Sequence, residues 1–260
     1  MQVVGHRLPR RDAELQVQGK LLFTGDFKIH NMLYGAVLRS AEAHADIVSV
    51  DTREAESMEG VKAVITAEDV PNNRCAIMRD DRDGRVRDEI PILAGQRVRH
   101  RGDGIAAVAA TSLEITEKAL RSIKVVYRRL PAVFDPVEAM KPEAPKIHGE
   151  DNVAAKRYLE LGQISKGFRD ADLIVEDTFS TQMVEQAPLE PHTCIAQYEP
   201  DGSFKIWSTT QRPFVVASGL SRVLEVPLSH IRLMIPAVGG GFGSKNEMTT
   251  EPVACLLAKK

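Results

Sequence analysis

The stretch His230-Ile-Arg-Leu-Met-Ile-Pro236, followed by Val238-Gly239-Gly240-Gly241-Phe242-Gly243-Ser244-Lys245, reads as a strand that runs into a glycine turn. Glycine has no side chain to hold a ligand away from the backbone. The residues after the turn read as a helix that follows at once, and the first amides of a helix are unpaired and favour anionic oxygens. The turn is therefore the place where this chain could hold a cofactor. The competing reading is a turn that only packs a helix against a sheet. Two phosphate loops do not fit. A P-loop needs Gly before its Lys and Ser or Thr after it, whereas Ser244 precedes Lys245 and Asn246 follows. A dinucleotide fingerprint needs a third Gly where Ser244 stands and an acidic residue about 20 positions further on.

Upstream lies Asp201-Gly-Ser-Phe-Lys-Ile-Trp-Ser-Thr-Thr-Gln211-Arg-Pro213. Asp201-Gly202 is a hairpin signal, and Phe204, Ile206 and Ser208 alternate with Lys205 and Trp207 as in a strand. A hairpin with Cys194 to Tyr198 is expected. The run from Pro213 to Leu224 reads as a helix with Pro213 near its first turn. The amide of Gln211 then projects from a strand end, where ligand sites of mixed folds gather. A solvated or capping amide is the alternative for Gln211 taken alone.

The Thr209-Thr210-Gln211…Pro213 segment, a helix, a short strand and then the Gly239–Lys245 run resemble the molybdenum-cofactor subunit of the xanthine dehydrogenase and aldehyde oxidase family. The N-terminal half is similar to that family independently. Leu33-Tyr-Gly-Ala-Val-Leu-Arg-Ser40, Ala43-His-Ala-Asp-Ile47 and Gly60-Val-Lys-Ala-Val-Ile-Thr-Ala-Glu-Asp-Val-Pro71 resemble the opening of its α/β hammerhead domain. Gly104-Ile-Ala-Ala-Val-Ala-Ala110 and Val125-Val-Tyr-Arg-Arg-Leu-Pro-Ala-Val133 resemble its close, and Leu189-Glu-Pro-His192 matches a further element. The resemblance runs from Gly19 to the end. It implies an α+β chain: a hammerhead domain, then the first, incomplete part of a mixed α/β molybdopterin-binding domain.

By that resemblance Gln211 donates to an oxo ligand of molybdenum, and the backbone at Gly241, Phe242 and Gly243 faces the cofactor. The side chain of Phe242 is either a substrate wall or core. Asn246 stands in the substrate pocket, where xanthine-oxidising members carry a Glu directly after the Lys; Glu247 lies one residue too far, which weakens a purine substrate. Gly102-Asp103-Gly104 stands where many relatives have Pro at the last position. The family oxidises an aldehyde or an N-heterocycle with oxygen from water, and aromatic acyl-CoA reduction and carbon monoxide oxidation also occur in it. Iron–sulfur clusters and FAD would sit on partner subunits. The family's catalytic Glu and most of its pocket lie beyond Lys260, so no catalytic residue is assigned within this chain, and the chain by itself is expected to be inactive. The sequence stops at Ala254-Cys-Leu-Leu-Ala-Lys-Lys260, inside what reads as a helix, with Met248, Pro252, Leu256 and Leu257 near a helical spacing. It then reads as a piece of a longer chain, a shortened gene product or half of a split subunit.

Composition sets the remaining bounds. The 260 residues are 43% hydrophobic with 34 basic and 36 acidic side chains, a net charge of -2 that offers no nucleic-acid surface. No apolar run reaches membrane-spanning length, no signal core opens the chain, and a cytoplasmic protein is expected. Cys75, Cys194 and Cys255 form no C-x-x-C pair, so no cluster or structural metal is expected on this chain, and the three thiols read as small apolar groups. His192 reads as a structural hydrogen-bonding residue. Along the chain we expect an arm over 1–18, the hammerhead over 19–134, a Pro-rich linker over 135–152 and the second domain over 153–260. Finer expectations are a helix from Arg53 to Glu59, a turn over Asp80–Arg85, a helix capped by Ser112 with Leu113, Thr116, Leu120 and Ile123 on one face, and a strand over Ala171–Gln182. Two other functions compete: a non-catalytic interaction or assembly module, and a nucleotide-binding protein using the glycine loop.

Overall fold

The computed structural model describes residues 4–76, 89–148, 151–153 and 158–260. In the first half, α1 (Ala13–Val17) precedes β1 (Tyr34–Arg39), β2 (Ala45–Asp51), α2 (Arg53–Glu56) and β3 (Val61–Thr66). Two short strands, β4 (Cys75–Ala76) and β5 (Glu89–Ile90), and then β6 (Arg97–Val98) lead to β7 (Gly104–Ala110), α3 (Leu113–Ser122) and β8 (Lys124–Arg129). The second half holds α4 (Pro136–Ala139), α5 (Ile164–Asp170), β9 (Cys194–Tyr198), β10 (Phe204–Ser208), α6 (Pro213–Leu224), β11 (Ile231–Met234) and α7 (Glu251–Lys259).

Among the described residues the strands form three three-stranded sheets, ordered β1-β7-β3, β6-β2-β8 and β11-β10-β9, with β4 and β5 pairing apart. β7 explains the first sheet. It is central and antiparallel to both neighbours, and its Gly-Ile-Ala-Ala-Val-Ala-Ala sequence is buried on both faces. Period-2 geometry sends Ala106 and Val108 to one side, where they pack with Ala119 of α3 and with Ile123, which caps that helix. Ala107 and Ala109 go to the other side, which α7 covers, and belong to one core cluster with Leu256 and Leu257 of α7 and Phe204 and Ile206 of β10. Small residues let two layers approach one strand. One core therefore spans both halves of the chain.

Ser112 caps α3 by accepting from the Ile115 N–H at 3.2 Å. The buried face of α3 is Thr116 and Ala119, continued by its C-cap Ile123, with Leu120 partly buried; Leu113 is 53% exposed and does not belong to it. Thr116 takes the inward place because its hydroxyl donates to Tyr34 O at 2.9 Å. The helix at Arg53 is shorter than expected and ends at Glu56, with Ser57 as its cap. The N-terminal arm carries one short helix, α1, without buried residues. The Asp80–Arg85 turn lies outside the described residues.

Ala171–Gln182 is not a strand. Leu173, Val175 and Phe179 are 79%, 80% and 89% exposed, and among the described residues no strand pairs with this stretch. Its alternating pattern specifies a pairing edge, and an edge needs a neighbour to become a strand. No described helix is long and apolar enough to cross a membrane.

Candidate functional site

β10 pairs with β9 antiparallel, Phe204 facing Tyr198 and Ser208 facing Cys194. It pairs with β11 in parallel, Phe204 facing Ile231 and Trp207 facing Met234. A parallel pair joined by a helix puts both carboxyl ends on one edge of the sheet. Thr209-Thr210-Gln211 leaves β10 at that edge, and the glycine loop leaves β11 there.

The two exits are hydrogen-bonded to each other. Lys245 O accepts from Gln211 N at 2.8 Å and from Thr210 Oγ1 at 3.2 Å. Gln211 Oε1 accepts from the Gly243 N–H at 3.1 Å. A backbone N–H can only donate, so the carboxamide oxygen faces the loop and the amino group faces outward. A Cβ at Gly241 would lie 2.5 Å from both Cδ and Oε1 of Gln211, so glycine is what lets the carboxamide sit there. The structure thus brings Gln211 together with Gly241, Phe242 and Gly243, although Gly243 is 32 residues away. Asn246 is beside them, its N–H donating to Gly243 O at 3.3 Å.

The loop backbone is left-handed at Gly240 (φ +93°), Phe242 (φ +51°) and Gly243 (φ +93°). For a bulky side chain such as Phe this conformation costs on the order of 1–3 kcal/mol and persists only where the surroundings enforce it. Phe242 is also 74% exposed, so it is no core residue of this chain. Ser244 N and Oγ both donate to Gly241 O, at 2.9 and 2.7 Å. Among the described residues the N–H groups of Gly240, Gly241 and Phe242 meet no acceptor. Successive free amides in such a turn form a concavity that favours anionic oxygens.

The expected helix start is not at this loop. Ser244–Asn246 makes one 3-10 turn, and α7 begins only at Glu251. The affinity for oxygens therefore rests on the turn's own amides rather than on a helix terminus. Glu251 serves as an anchor instead. It is 4% exposed, accepts from Ser208 Oγ at 2.5 Å and accepts from Thr249 N at 3.0 Å.

Glu190 and Lys245 also belong to the site; both stand in segments that carry the family resemblance, but nothing local in the sequence pairs them. Lys245 is 1% exposed and its Nζ lies 3.1 Å from Glu190 Oε2. The same oxygen accepts from Gly239 N at 2.7 Å, and Glu190 Oε1 is buried without a partner among the described residues. His192 Nε2 donates to Ser244 O at 2.9 Å, the structural bond expected of it. Burial pushes the Cys194 and Cys255 thiols up, with Glu251 adding to both. They are protonated at neutral pH and are not nucleophiles. The donor set on offer, neutral amides and one carboxamide, suits an anionic, oxygen-rich group and not a bare cation.

Comparison with known proteins agrees with this geometry. Residues 18–131 match the family described as aldehyde oxidase and xanthine dehydrogenase, α/β hammerhead domain. Residues 147–260 match the molybdopterin cofactor-binding domain. The chain is similar to a probable xanthine dehydrogenase subunit of Bacillus subtilis (strain 168), 38% identical over 96% of this chain and 33% of that protein. It is similar to the nicotinate dehydrogenase large molybdopterin subunit of Eubacterium barkeri, 33% identical over 98% of this chain and 59% of that one. Among solved structures, quinoline 2-oxidoreductase from Pseudomonas putida 86 superposes with a TM-score of 0.88 at 31% identity, over 98% of this chain and 33% of that one. The chain spans between 33% and 59% of the length of these curated relatives.

Proposed function

Given that this chain belongs to the xanthine dehydrogenase and aldehyde oxidase family, carrying its hammerhead domain and part of its molybdopterin cofactor-binding domain, we propose that it forms one portion of a molybdenum hydroxylase subunit. The loop Gly241-Phe242-Gly243 and Gln211 are its contribution to the cofactor site. The observation that carries this reading is the Gln211–Gly243 hydrogen bond set beside three uncommitted amides. Gln211 has one amino group left to donate, and its orientation is fixed before any ligand arrives. Preorganised neutral donors stabilise developing negative charge without supplying a proton. The molybdenum cofactor, when bound, supplies the two-electron oxidising centre.

The substrate class is an aldehyde or an aromatic N-heterocycle. Relatives named for xanthine, nicotinate and quinoline support the heterocycle arm. Asn246, where xanthine-oxidising members carry a carboxylate, argues against a purine that relies on that charge. The general base and most of the pocket come from sequence outside residues 1–260, so the isolated chain is inactive. The exposed apolar stretch from Tyr158 to Leu189 supports a partner surface: it suits the remainder of the molybdenum subunit. Iron–sulfur and FAD subunits carry the electrons away. Metal and pterin analysis of the native complex tests the proposal. One molybdopterin per copy of this chain is expected, and a complex free of molybdenum after full cofactor supply would sink it.

A further inference from the structure

Lys245 holds three segments at once. Its carbonyl takes Gln211 N and the Thr210 hydroxyl, and its ammonium takes Glu190. Glu190 Oε2 in turn holds the N–H of Gly239, so a single carboxylate oxygen joins both ends of the loop. The backbone strengthens the joint: Glu190 N donates to Gly239 O at 3.1 Å, and His192 ties Ser244. A Cβ at Gly239 would lie 2.5 Å from Glu190 Cβ, so the close approach depends on glycine.

Stability alone does not account for such a pair. A neighbouring ion pair of this sheet, Lys205–Glu199, leaves its lysine 39% exposed, whereas Lys245 is 1% exposed. Stripping water from two charges costs about as much as their attraction returns, and well-packed apolar residues often serve stability as well or better. What apolar residues cannot do is fix Gly239 and Lys245 to the same atom. The left-handed Phe242 between them needs that kind of enforcement.

We infer that Glu190 and Lys245 are positioning residues, a buried fastener that sets the loop amides and Gln211 in register with each other. The inference rests on the reading of the loop as a cofactor site. In the complete enzyme, Glu190→Leu combined with Lys245→Met removes both charges and keeps apolar packing. The peptide covering residues 239–246 should then exchange amide hydrogens about tenfold faster, while the β7 peptide 104–110 stays as in wild type. Pterin should be released about tenfold faster, the scale on which outer partners of a cofactor site act. Wild-type exchange over 239–246 would overturn the inference. So would equal acceleration in both peptides, which would mark a merely structural pair. Lys245→Met alone keeps the Glu190–Gly239 bond and guards against a misfolded double variant: a smaller, still local acceleration is expected, and none overturns the inference. Gly241→Ala separates the two readings. It displaces Gln211 while leaving the fastener intact, and wild-type pterin retention there counts against the cofactor site itself, not against the fastener.

Discussion

Residues 239–245 and residues 171–189 both lack strand and α-helix, and their physical situations are opposite. In the first, Gly239, Gly243 and Ser244 donate to side chains or to the loop itself, and Lys245 is buried. In the second, the side chains of Leu173, Phe179, Met183 and Leu189 are 79%, 89%, 99% and 98% exposed. The backbone N–H groups of this second stretch that find an acceptor, Thr178 and Ala187, use carboxylates one or two residues away. Irregular backbone is thus no measure of how strongly a segment is specified; the count of committed polar groups is. One segment is determined within these 260 residues, and the other has its apolar pattern without the surface to match it.

Substitutions can sharpen that contrast. The largest effect is expected at Phe204, fully buried at the start of β10, the strand that ends at the site. Phe204→Ala should cost about 3–5 kcal/mol by leaving a cavity, read as a drop in the thermal unfolding midpoint. Gln211→Ala in the complete enzyme should leave the fold intact and slow turnover by about a hundredfold, roughly 3 kcal/mol of transition-state stabilisation. Steady-state rates at full cofactor occupancy check it, and an unchanged rate would break the claim that the loop region is the functional one. The isolated chain should self-associate through 171–189 and carry no pterin. Replacing Leu173, Val175 and Phe179 with Ser should return a monomer on size-exclusion chromatography, and persistent association would move the sticky surface elsewhere.

Smaller effects test the hammerhead as a reference. Burial raises Asp103, but the His100 imidazole and the Arg99 N–H outweigh it and hold the carboxyl below its ordinary value. The Asp103 hydrogen bond raises His100 above its ordinary value in return. A raised histidine contributes stability below its unfolded pKa and loses it as pH rises through the folded one; a lowered carboxylate contributes above its unfolded pKa and loses it on acidification. The pair therefore helps most between about pH 4 and 6.5. His100→Ala should cost no more than about 1 kcal/mol at pH 5, because His100 is largely exposed, and next to nothing at pH 9. Denaturant unfolding at the two pH values checks this. The smallest effect is expected for Phe179→Ala, within about 0.5 kcal/mol in the isolated chain. A cost comparable to that at Phe204 would erase the contrast between the two regions.

Much of the site is legible in the sequence itself. The Asp201-Gly202 turn, the alternation from Phe204 to Ser208 and Pro213 at a helix start are local signals, and β10, α6 and the strand-end place of Gln211 follow from them, whereas its approach to the loop is legible only through the family resemblance. Glu190 and Lys245 are not legible in this way. They are 55 residues apart, and nothing local distinguishes a charge that will be buried from one that will be solvated. The sequence puts the helix after the loop too early because Ser244–Asn246 spends a 3-10 turn before Pro252 can open α7. The Ala171–Gln182 strand fails for a different reason: alternation reports the face a segment would bury, and the neighbour decides whether it does.

The alanine-rich strand β7 has a consequence for how the protein is made. One of its faces is covered by α3, which follows it within a few residues. The other is closed by Val253, Leu256 and Leu257 of α7, close to 150 positions later in the sequence. Each of those side chains contributes about 1.5–3 kcal/mol when buried. On the ribosome, the first domain emerges with half of its sheet bare and stays so until residues 251–259 are synthesised. Its completion is a long-range event, slow by the measure of contact order, and the interval before it is when the nascent chain most needs protection.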